Sequence, residues 1–440
     1  MGANESTQKI GSLRDDFIRP PESARAKSWW HWMNGNVSRE GITLDLEAMH
    51  RAGIGGVQLF QVGEGIPEGR VPYGSAENLE LLEYAANEAG RLGMEFGMMN
   101  SPGFSSSGGP WITPELSMQQ LTWSESFVDG GKELRLQLPE PYRKHDYYQD
   151  AMVLAFPSLE GEERPLTDLL RRVTSSSGMV EAGLIVDGNP SKGVDVKPGA
   201  AGESAYLQLE FVEPYSARSV TIYGNAGRVT LESSNDGLRF EKVCELEVLP
   251  YGPIEVPGVA NFSRTRARHF RLIAAHQFRI SEFRLSGAER IVDWPQKANF
   301  RHRDGEDPLP ATGQVSVGSI IDPATVLDIS QHMDRSGKLR WHAPAGHWTI
   351  LRIGHTTTGS ENAPAPDGGL GLECDKYSRA AYEYHFNRFF GDMFSTLRTI
   401  SSKVPVTSVI DSYEVGMQTW TKNYPQEFIR RRARFDIHAF

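Results

Sequence analysis

The hydrophobic pattern opens with short apolar stretches that alternate with amphipathic segments. Residues 28–33, 56–62 and 94–99 are mainly apolar, and each run stops at a segment rich in Gly, Asn or Pro, which is typical of buried strands. After Ser38 and again after Ser75, apolar residues recur every three or four positions, and both serines can cap a helix. This alternation predicts parallel strands joined by right-handed crossovers, as in an α/β barrel or a doubly wound sheet.

A second pattern begins near residue 121 and extends to about 347. Short stretches there alternate between apolar and polar residues and are bounded by Gly, Pro or Asn, which is typical of an antiparallel β-sandwich. These stretches are 134–138, 206–211, 219–223, 228–233, 269–274 and 280–285. The run Asn235-Asp236-Gly237 predicts a tight turn between two of them.

A helical pattern returns near the end of the chain. Residues 378–398 predict one long helix, and 406–410 predict another buried strand. The apolar stripe of the helix consists of Tyr382, Phe386, Phe389, Met393 and Leu397. We therefore predict an α/β fold in which a (β/α)8-type barrel, incomplete in this chain, is interrupted by a large all-β sandwich insertion. The predicted divisions are a polar leader (1–27), the first barrel part (28–120), inserted β-domains (121–347, with a sandwich at about 201–290) and the resumed barrel (348–440), in which 349–354 is a candidate further strand.

Composition narrows the classes of partner. A net charge of −10 argues against a nucleic acid or an anionic membrane, since either would need a basic surface. No apolar run reaches membrane-spanning length and the N-terminus lacks a signal pattern, so a cytoplasmic location is the default, with export open if a leader was removed. The cysteines, Cys244 and Cys374, predict neither a disulfide framework nor a zinc site. The sequence does not indicate an oligomeric state.

Acidic and aromatic residues follow the predicted strand at 406–410. Asp411, Glu414 and Trp420 come shortly after it, and α/β barrels hold their chemistry beyond the C-terminal ends of the strands. Glu414 is therefore the candidate catalytic residue, with Asp411 and Trp420 as candidate substrate contacts. The alternative is that Glu414 is a solvated loop acid and Asp411 a helix cap.

Two other strand ends carry groups suited to a sugar. His31, Trp32 and Asn34 end the first strand, and Asn100 and Trp111 lie in the Gly/Ser loop after the third. A sugar site needs flat apolar faces together with directional donors and acceptors, and these residues offer both. Because successive strand side chains point to opposite faces, roughly half of the aromatic strand residues are expected to be core instead. The serines of the loop lack the Gly-x-Ser-x-Gly spacing of a nucleophile elbow.

A pair of acids precedes the predicted long helix. Glu373 and Asp375 flank Cys374, so on an extended segment they would share one face. Adjacent carboxylates repel unless a proton or a cation intervenes, and hard oxygen ligands suit calcium. We therefore predict a calcium site at this pair, the alternative being a helix-capping Asp375 and an exposed Glu373. Cys374 is expected to be a small buried residue.

Several long motifs together resemble glycoside hydrolase family 106, and they occur in the family's order. They are WWHWMNGNVSREGITLDLEAMHRAGIGGVQLF, MMNSPGFSSSGGPWITPELSMQQLTWSE, GHWTILRIGHTTTG with GLECDK, and DSYEVGMQTWT. The resemblance implies an α-L-rhamnosidase that acts on terminal rhamnosides with inversion and uses calcium in sugar binding. It also implies a barrel interrupted by β-domains and a general acid at Glu414. Within the insertion, LESSNDGLRFEKV, ARHFRLI and ISEFRLSG are similar to the galactose-binding-like, discoidin-type sandwich.

The resemblance implies further that the general base of the inverting reaction comes from a later barrel strand. The barrel parts contain at most five predicted strands, so we expect an N-terminal portion of a longer enzyme that is not a competent hydrolase by itself. Two alternatives stay open from the sequence. One is a non-catalytic carbohydrate-binding protein, and the other is a glycosidase of different specificity on the same frame.

Overall fold

The computed structural model describes residues 10–21, 24–63, 65–199, 203–249, 256–300, 315–400 and 406–432. The chain forms two compact units, the first from residues 1–118 and 360–415 and the second from residues 119–359 and 416–440. The predicted divisions lay at 120/121 and 347/348, so the return to the first unit comes later in the chain than the sequence pattern indicated.

The strands are β1 (Lys27–Met33), β2 (Gly56–Val62), β3 (Glu95–Met99), β4 (Gln119–Asp129), β5 (Lys132–Gln137), β6 (Gln149–Pro157), β7 (Leu170–Ser175), β8 (Gly178–Val180), β9 (Val194–Val196), β10 (Ala205–Asn225), β11 (Gly227–Ser234), β12 (Glu241–Val248), β13 (Gly258–Ala274), β14 (Phe278–Ser286), β15 (Leu327–Asp328), β16 (Lys338–Ala343), β17 (His347–Thr357) and β18 (Val406–Val409). The helices are α1 (Ile10–Ile18), α2 (Arg39–Arg51), α3 (Ala76–Arg91), α4 (Leu166–Leu169), α5 (Trp294–Lys297), α6 (Arg379–Ile400) and α7 (Tyr424–Arg431). None of the helices in the described ranges is long and apolar enough to cross a membrane.

The first unit contains a four-stranded parallel sheet in the order β1-β2-β3-β18. Helices α2 and α3 connect its first three strands. The hydroxyls of Ser38 and Ser75 cap them by accepting the backbone N–H of Gly41 and of Asn78. The predicted alternation of strands and helices is confirmed here. Within the described residues the sheet is open at β1 and β18, so the barrel itself stays a prediction.

The two faces of this sheet are different. Trp30 and Trp32 point to the helical side, where they join a core that includes Leu46, Leu59, Leu82, Phe96, Met98 and Phe389. Trp29 and His31 point to the opposite side, where their rings lie 5.1 and 5.5 Å from that of Phe60. The alternation along β1 thus places one pair of aromatic residues in the core and leaves the other pair on an open face.

Helix α6 buries part of the predicted apolar stripe. His385 and Phe389 are buried, whereas Phe386 is 47% exposed. His385 and Phe389 lie on the same face of the helix because they are four residues apart. The predicted stripe contained only apolar residues and therefore omitted His385. The side chains of Met393 and Leu397, the later members of the predicted stripe, lie outside the described part of the helix.

The second unit is mainly β. Its larger sheet has the order β12-β11-β13-β10-β14-β9, with β7 and β8 beside β10, and no helix occurs between 205 and 286 in the described residues. This confirms the predicted β-rich insertion. Strand β10 covers two predicted stretches, because bulges let it continue past Glu210 and Ala217. The segment 235–240 turns the chain from β11 to β12, and the Asp236 carboxylate accepts the N–H groups of Leu238 and Arg239 there.

A smaller antiparallel sheet in the order β15-β6-β17-β4 completes this unit, together with the pair β16 and β5. Residues 349–354, the candidate fifth barrel strand, lie in β17 and pair antiparallel with β4 and β6. That candidate assignment was wrong. A central strand flanked on both sides is apolar along most of its length, so its pattern matches that of a buried parallel strand. Trp348 and Ile350 of β17 are buried in the core of this sheet.

Candidate active site

The C-terminal ends of the parallel strands meet at one edge of the first unit, and backbone hydrogen bonds tie the following loops together. The N–H of Asn34 donates to the carbonyl of Val62 at 2.6 Å, and the N–H of Asn100 donates to that of Val409 at 2.9 Å. The Asn34 side chain donates to the carbonyl of Ile66 at 2.8 Å. Both asparagines are buried, so in the structure they hold the loops in position beneath the edge.

The open face of the sheet carries an aromatic cluster next to this edge. The ring of His31 lies 5.8 Å from that of Phe104, which in turn lies 5.9 Å from Phe60. Trp29 is 54% exposed, so its ring presents a flat apolar surface to solvent. Trp32 is not part of this cluster. It is 4% exposed on the helical side of the sheet because strand side chains alternate.

A buried ion pair lies on the segment before α6. Glu373 is fully buried, and its Oε2 accepts from the Lys376 ammonium at 2.5 Å and from the Ser107 hydroxyl at 3.2 Å. Burial raises the pKa of Glu373 above its usual range, and the charge of Lys376 opposes that shift. The same ammonium lies 4.9 Å from the centre of the Tyr413 ring. The ion pair therefore reaches the loop that follows β18.

Glu414 lies in that loop, directly after Tyr413. Its side chain is exposed, and the Ser412 hydroxyl donates to its Oε1 at 2.9 Å. Asp411 is half-buried three residues earlier in the same loop. The arrangement gives an accessible carboxyl group that a neighbouring hydroxyl orients, in a loop whose Tyr413 contacts the buried ion pair. Such a group can donate a proton to a bound substrate.

Comparison with known proteins identifies the family of the chain. The family model described as alpha-L-rhamnosidase, glycoside hydrolase family 106, matches residues 18–440. The chain belongs to this family. A solved rhamnosidase from Novosphingobium sp. PP1Y is 30% identical with a TM-score of 0.79, over 97% of this chain and 42% of that one. A protein of Formosa agariphila named "Putative beta-glucuronidase" is 30% identical over 420 residues, which are 96% of this chain and 25% of that protein. The chain thus spans less than half the length of either relative.

The family 106 chain has a polar element at this edge that sequence reasoning missed. His385 is buried, and its Nδ1 accepts the indole N–H of Trp111 at 3.1 Å. Its Nε2 lies 2.9 Å from the carbonyl of Asn100. The side chain of Asn100 also donates to the Tyr382 hydroxyl at 3.0 Å. Trp111 and Asn100, both predicted as substrate contacts, are therefore joined through His385. The sequence feature that could have indicated a buried His385 is its position four residues before Phe389, on the same face of the helix.

Glu373 and Asp375, the predicted calcium ligands, each bond to other groups in this structure. Lys376 already supplies the positive charge beside Glu373, and Oδ1 of Asp375 accepts the backbone N–H of Tyr377 at 2.9 Å. The described part of the chain holds no group of three or more His, Cys, Asp or Glu side chains arranged for a metal. Oε1 of Glu373 is buried and has no hydrogen-bond partner among the described residues. The calcium site at this pair stays a prediction.

Trp420 belongs to the second unit. It is 7% exposed, and its ring lies 6.0 Å from that of His355 and 5.9 Å from that of Tyr424. Its environment in that unit is a packed aromatic group. Its role as a substrate contact stays a prediction.

Proposed function

We propose that this chain supplies the general acid and part of the sugar-binding face of an inverting α-L-rhamnosidase, with Glu414 as the acid. The observation that carries this proposal is the position of Glu414. It lies in a loop at the C-terminal end of a parallel strand, in a family 106 chain, with its carboxyl group accessible to solvent. We also propose that the open four-stranded sheet is part of a (β/α) barrel.

The proposed reaction needs two carboxyl groups. Glu414, in its protonated form, gives its proton to the glycosidic oxygen as the bond to the anomeric carbon breaks. A carboxylate on the other side of the sugar takes a proton from water, which attacks the anomeric carbon from the opposite face. Inversion requires about 6.5–9.5 Å between the two groups, and Asp411 is too near Glu414 in sequence to be assigned this role. We assign the base to no described residue.

The sugar would lie against His31 and Phe104, the members of the aromatic cluster nearest the loops that follow the strands. Rhamnose carries a methyl group and C–H faces that can pack on such rings, while hydroxyls need directional partners. The imidazole of His31 can supply one such partner at the cluster. Asn34, Asn100 and Trp111 act in this proposal by fixing the loops around the sugar.

A second specificity is favoured by the name of the relative from Formosa agariphila, which would make the substrate a β-glucuronoside. The test is the release of a chromophore by the full-length protein from an aryl α-L-rhamnoside and from an aryl β-D-glucuronoside. Rhamnoside cleavage supports the first proposal, and cleavage of the glucuronoside alone supports the second. Affinity for rhamnose without release from either substrate would mean a binding protein and would contradict both.

A further inference from the structure

The second unit contains a cavity of about 350 Å³ that includes none of the residues described above as the candidate active site. One wall comes from the side of β10 and β14 that faces away from the core of the larger sheet. Val220 and Ile222 point into that core, whereas the alternate residues Thr221 and Tyr223 line the cavity. The other wall comes from β4, through Trp123, Glu125 and Phe127. A volume of this size is typical of a small-molecule site.

The cavity is rich in aromatic side chains. They are Trp123, Phe127, Tyr142, Tyr215, Tyr223 and Trp294. The rings of Trp123 and Trp294 lie 5.6 Å apart in an edge-to-face arrangement, and both residues are only half-buried. Aromatic rings that are held in place but retain accessible surface suit the C–H faces of a pyranose.

Fixed polar groups lie between these rings. The Nε of Arg284 donates to Glu282 at 3.0 Å, and its guanidinium lies 3.5 Å from Glu125. The backbone N–H of Gly188 donates to Glu282 at 3.0 Å. These contacts hold the charged groups in one arrangement before any ligand binds. Sugar hydroxyls both donate and accept, so they can bond to the carboxylates and to the guanidinium.

The charges around the cavity are balanced. The acids that line it are Glu125, Glu140, Glu162, Asp187 and Glu282, and the bases are Arg164, Arg284 and Arg290. Lys192 and Arg143 pair with Asp187 and Glu140 from outside the lining, so five acids face five bases. A uronic acid or a phosphate would bring an additional negative charge next to these carboxylates. A neutral hydroxylated ligand brings no such charge.

A smaller space of about 50 Å³ shares Trp123, Tyr223 and Arg284 with this cavity and adds Gln120. Gln120 is 3% exposed, and its Oε1 has no hydrogen-bond partner among the described residues. A buried acceptor without a partner is destabilising, so a ligand hydroxyl that donates to it would gain a hydrogen bond without displacing another.

We propose that this cavity is a non-catalytic binding site for a neutral sugar, which it holds through Trp123, Trp294 and the Arg284 ion pairs. The proposal does not depend on Glu414 being catalytic, because none of its residues belongs to that loop. Its function would be to keep a neutral glycan bound to the protein during cleavage of any terminal sugar.

Fluorine NMR of the protein labelled with 5-fluorotryptophan locates the binding. The resonances are assigned by single Trp→Phe variants, and the probes are L-rhamnose, D-galactose, D-glucose and D-glucuronate. At least one neutral sugar should shift the resonances of Trp123 and Trp294 in a saturable way, while glucuronate should not. If no neutral sugar shifts them, or if glucuronate alone does, the proposal is overturned. Shifts confined to Trp29 would report the candidate active site and would likewise count against it.

A matched pair of tyrosines on β10 tests the contact itself. Tyr223 lines the cavity, whereas Tyr206 is equally half-buried on the same strand and does not. Tyr223→Ala should weaken the affinity for the neutral sugar at the Trp123 resonance on the order of ten-fold, as expected for loss of an aromatic contact. Tyr206→Ala should leave it unchanged. Equal effects of the two variants, with both folded by circular dichroism, would contradict the proposed site.

Discussion

The indole N–H of Trp111 donates to Nδ1 of His385 at 3.1 Å, and this bond determines the state of the imidazole. Since an indole nitrogen can only donate, Nδ1 must carry a lone pair and the ring proton must be on Nε2. That proton then points to the carbonyl of Asn100, 2.9 Å away. His385 is thus neutral, and it joins the loop after β3 to helix α6.

The neutrality of His385 predicts a loss of stability in acid. Burial lowers the pKa of His385 from 6.5 to about 4. Between pH 4 and pH 6.5 the unfolded chain binds a proton at His385 that the folded chain excludes. The free energy of unfolding should therefore be highest above pH 6.5 and should decrease as the pH falls to about 4. The full effect corresponds to about 3 kcal/mol.

The measurement is urea unfolding between pH 4.5 and pH 7.5 for the wild type and for His385→Gln. The glutamine can still donate to the carbonyl of Asn100 but cannot be protonated. The variant should be less stable at pH 7.5, because the Trp111 bond is lost, and should show a flatter dependence on pH. Two parallel curves would show that His385 does not titrate between the folded and unfolded states as argued.

Removal of the Lys376 ammonium should lower the free energy of unfolding. The Lys376→Met variant leaves the fully buried carboxylate of Glu373 without its ion-pair partner, which should lower the free energy of unfolding by about 3–5 kcal/mol. The double variant Lys376→Met/Glu373→Gln should recover most of that loss, since no buried charge remains.

The ion pair between Lys27 and Glu95 is the matched control for that experiment. It is also short, at 2.6 Å, but its side chains are 40% and 22% exposed, so Lys27→Met should cost less than about 1 kcal/mol. Equal losses from the two single variants in urea unfolding would mean that burial of the Glu373–Lys376 pair does not have the effect assigned to it.

The two faces of β1 predict opposite results for adjacent residues. His31→Ala should weaken rhamnose binding on the order of ten-fold with little change in melting temperature, because its ring contacts Phe104 in the loop after β3, where the sugar is proposed to bind. Trp30→Ala should lower stability by about 3–5 kcal/mol, because that ring is in the core. Calorimetric titration and thermal unfolding measure the two effects. Unchanged rhamnose affinity in the His31 variant would remove the aromatic cluster from the site.

The predicted effect of calcium on rhamnose binding should not depend on the ion pair between Glu373 and Lys376. The family resemblance predicts that chelation weakens rhamnose binding and that calcium, but hardly magnesium, restores it. Because Glu373 is paired with Lys376, Glu373→Gln should leave the calcium effect on rhamnose affinity unchanged. Calorimetric titration with and without chelator decides this. Identical affinities in the wild type would exclude calcium, and loss of the calcium effect in the variant would return Glu373 to the metal site.

The elements that the sequence predicted well are those set by local patterns. The caps Ser38 and Ser75 and strand β2 depend on short-range hydrogen bonds and on apolar runs, both visible in the chain. Strand β17 was misassigned because a buried strand looks the same whether its neighbours are parallel or antiparallel. Whether a strand has parallel or antiparallel neighbours depends on its pairing with distant segments of the chain.

In the candidate site, too, features set by local sequence were predictable and those set by tertiary contacts were not. Sequence patterns placed Glu414 at the end of a parallel strand, and the structure agrees with that position. They could not show which aromatic residues of β1 face the core, since alternation gives two choices. Nor could they show that Lys376, three residues from Glu373, folds back to neutralise it or that His385 connects Trp111 to Asn100. These contacts depend on tertiary packing.

The central claim concerns the proton given by Glu414, and leaving-group dependence tests it most directly. In the full-length protein, Glu414→Gln is compared with the wild type on an aryl α-L-rhamnoside with a good leaving group and on an alkyl α-L-rhamnoside with a poor one. Glu80→Gln, an exposed helical glutamate that faces Arg39, is the control for charge removal. If Glu414 is the acid, turnover of the variant should fall about 10²–10⁴-fold on the alkyl rhamnoside and much less on the aryl rhamnoside, with an unchanged melting temperature. Equal turnover of Glu414→Gln and wild type on the alkyl rhamnoside would contradict this role of Glu414.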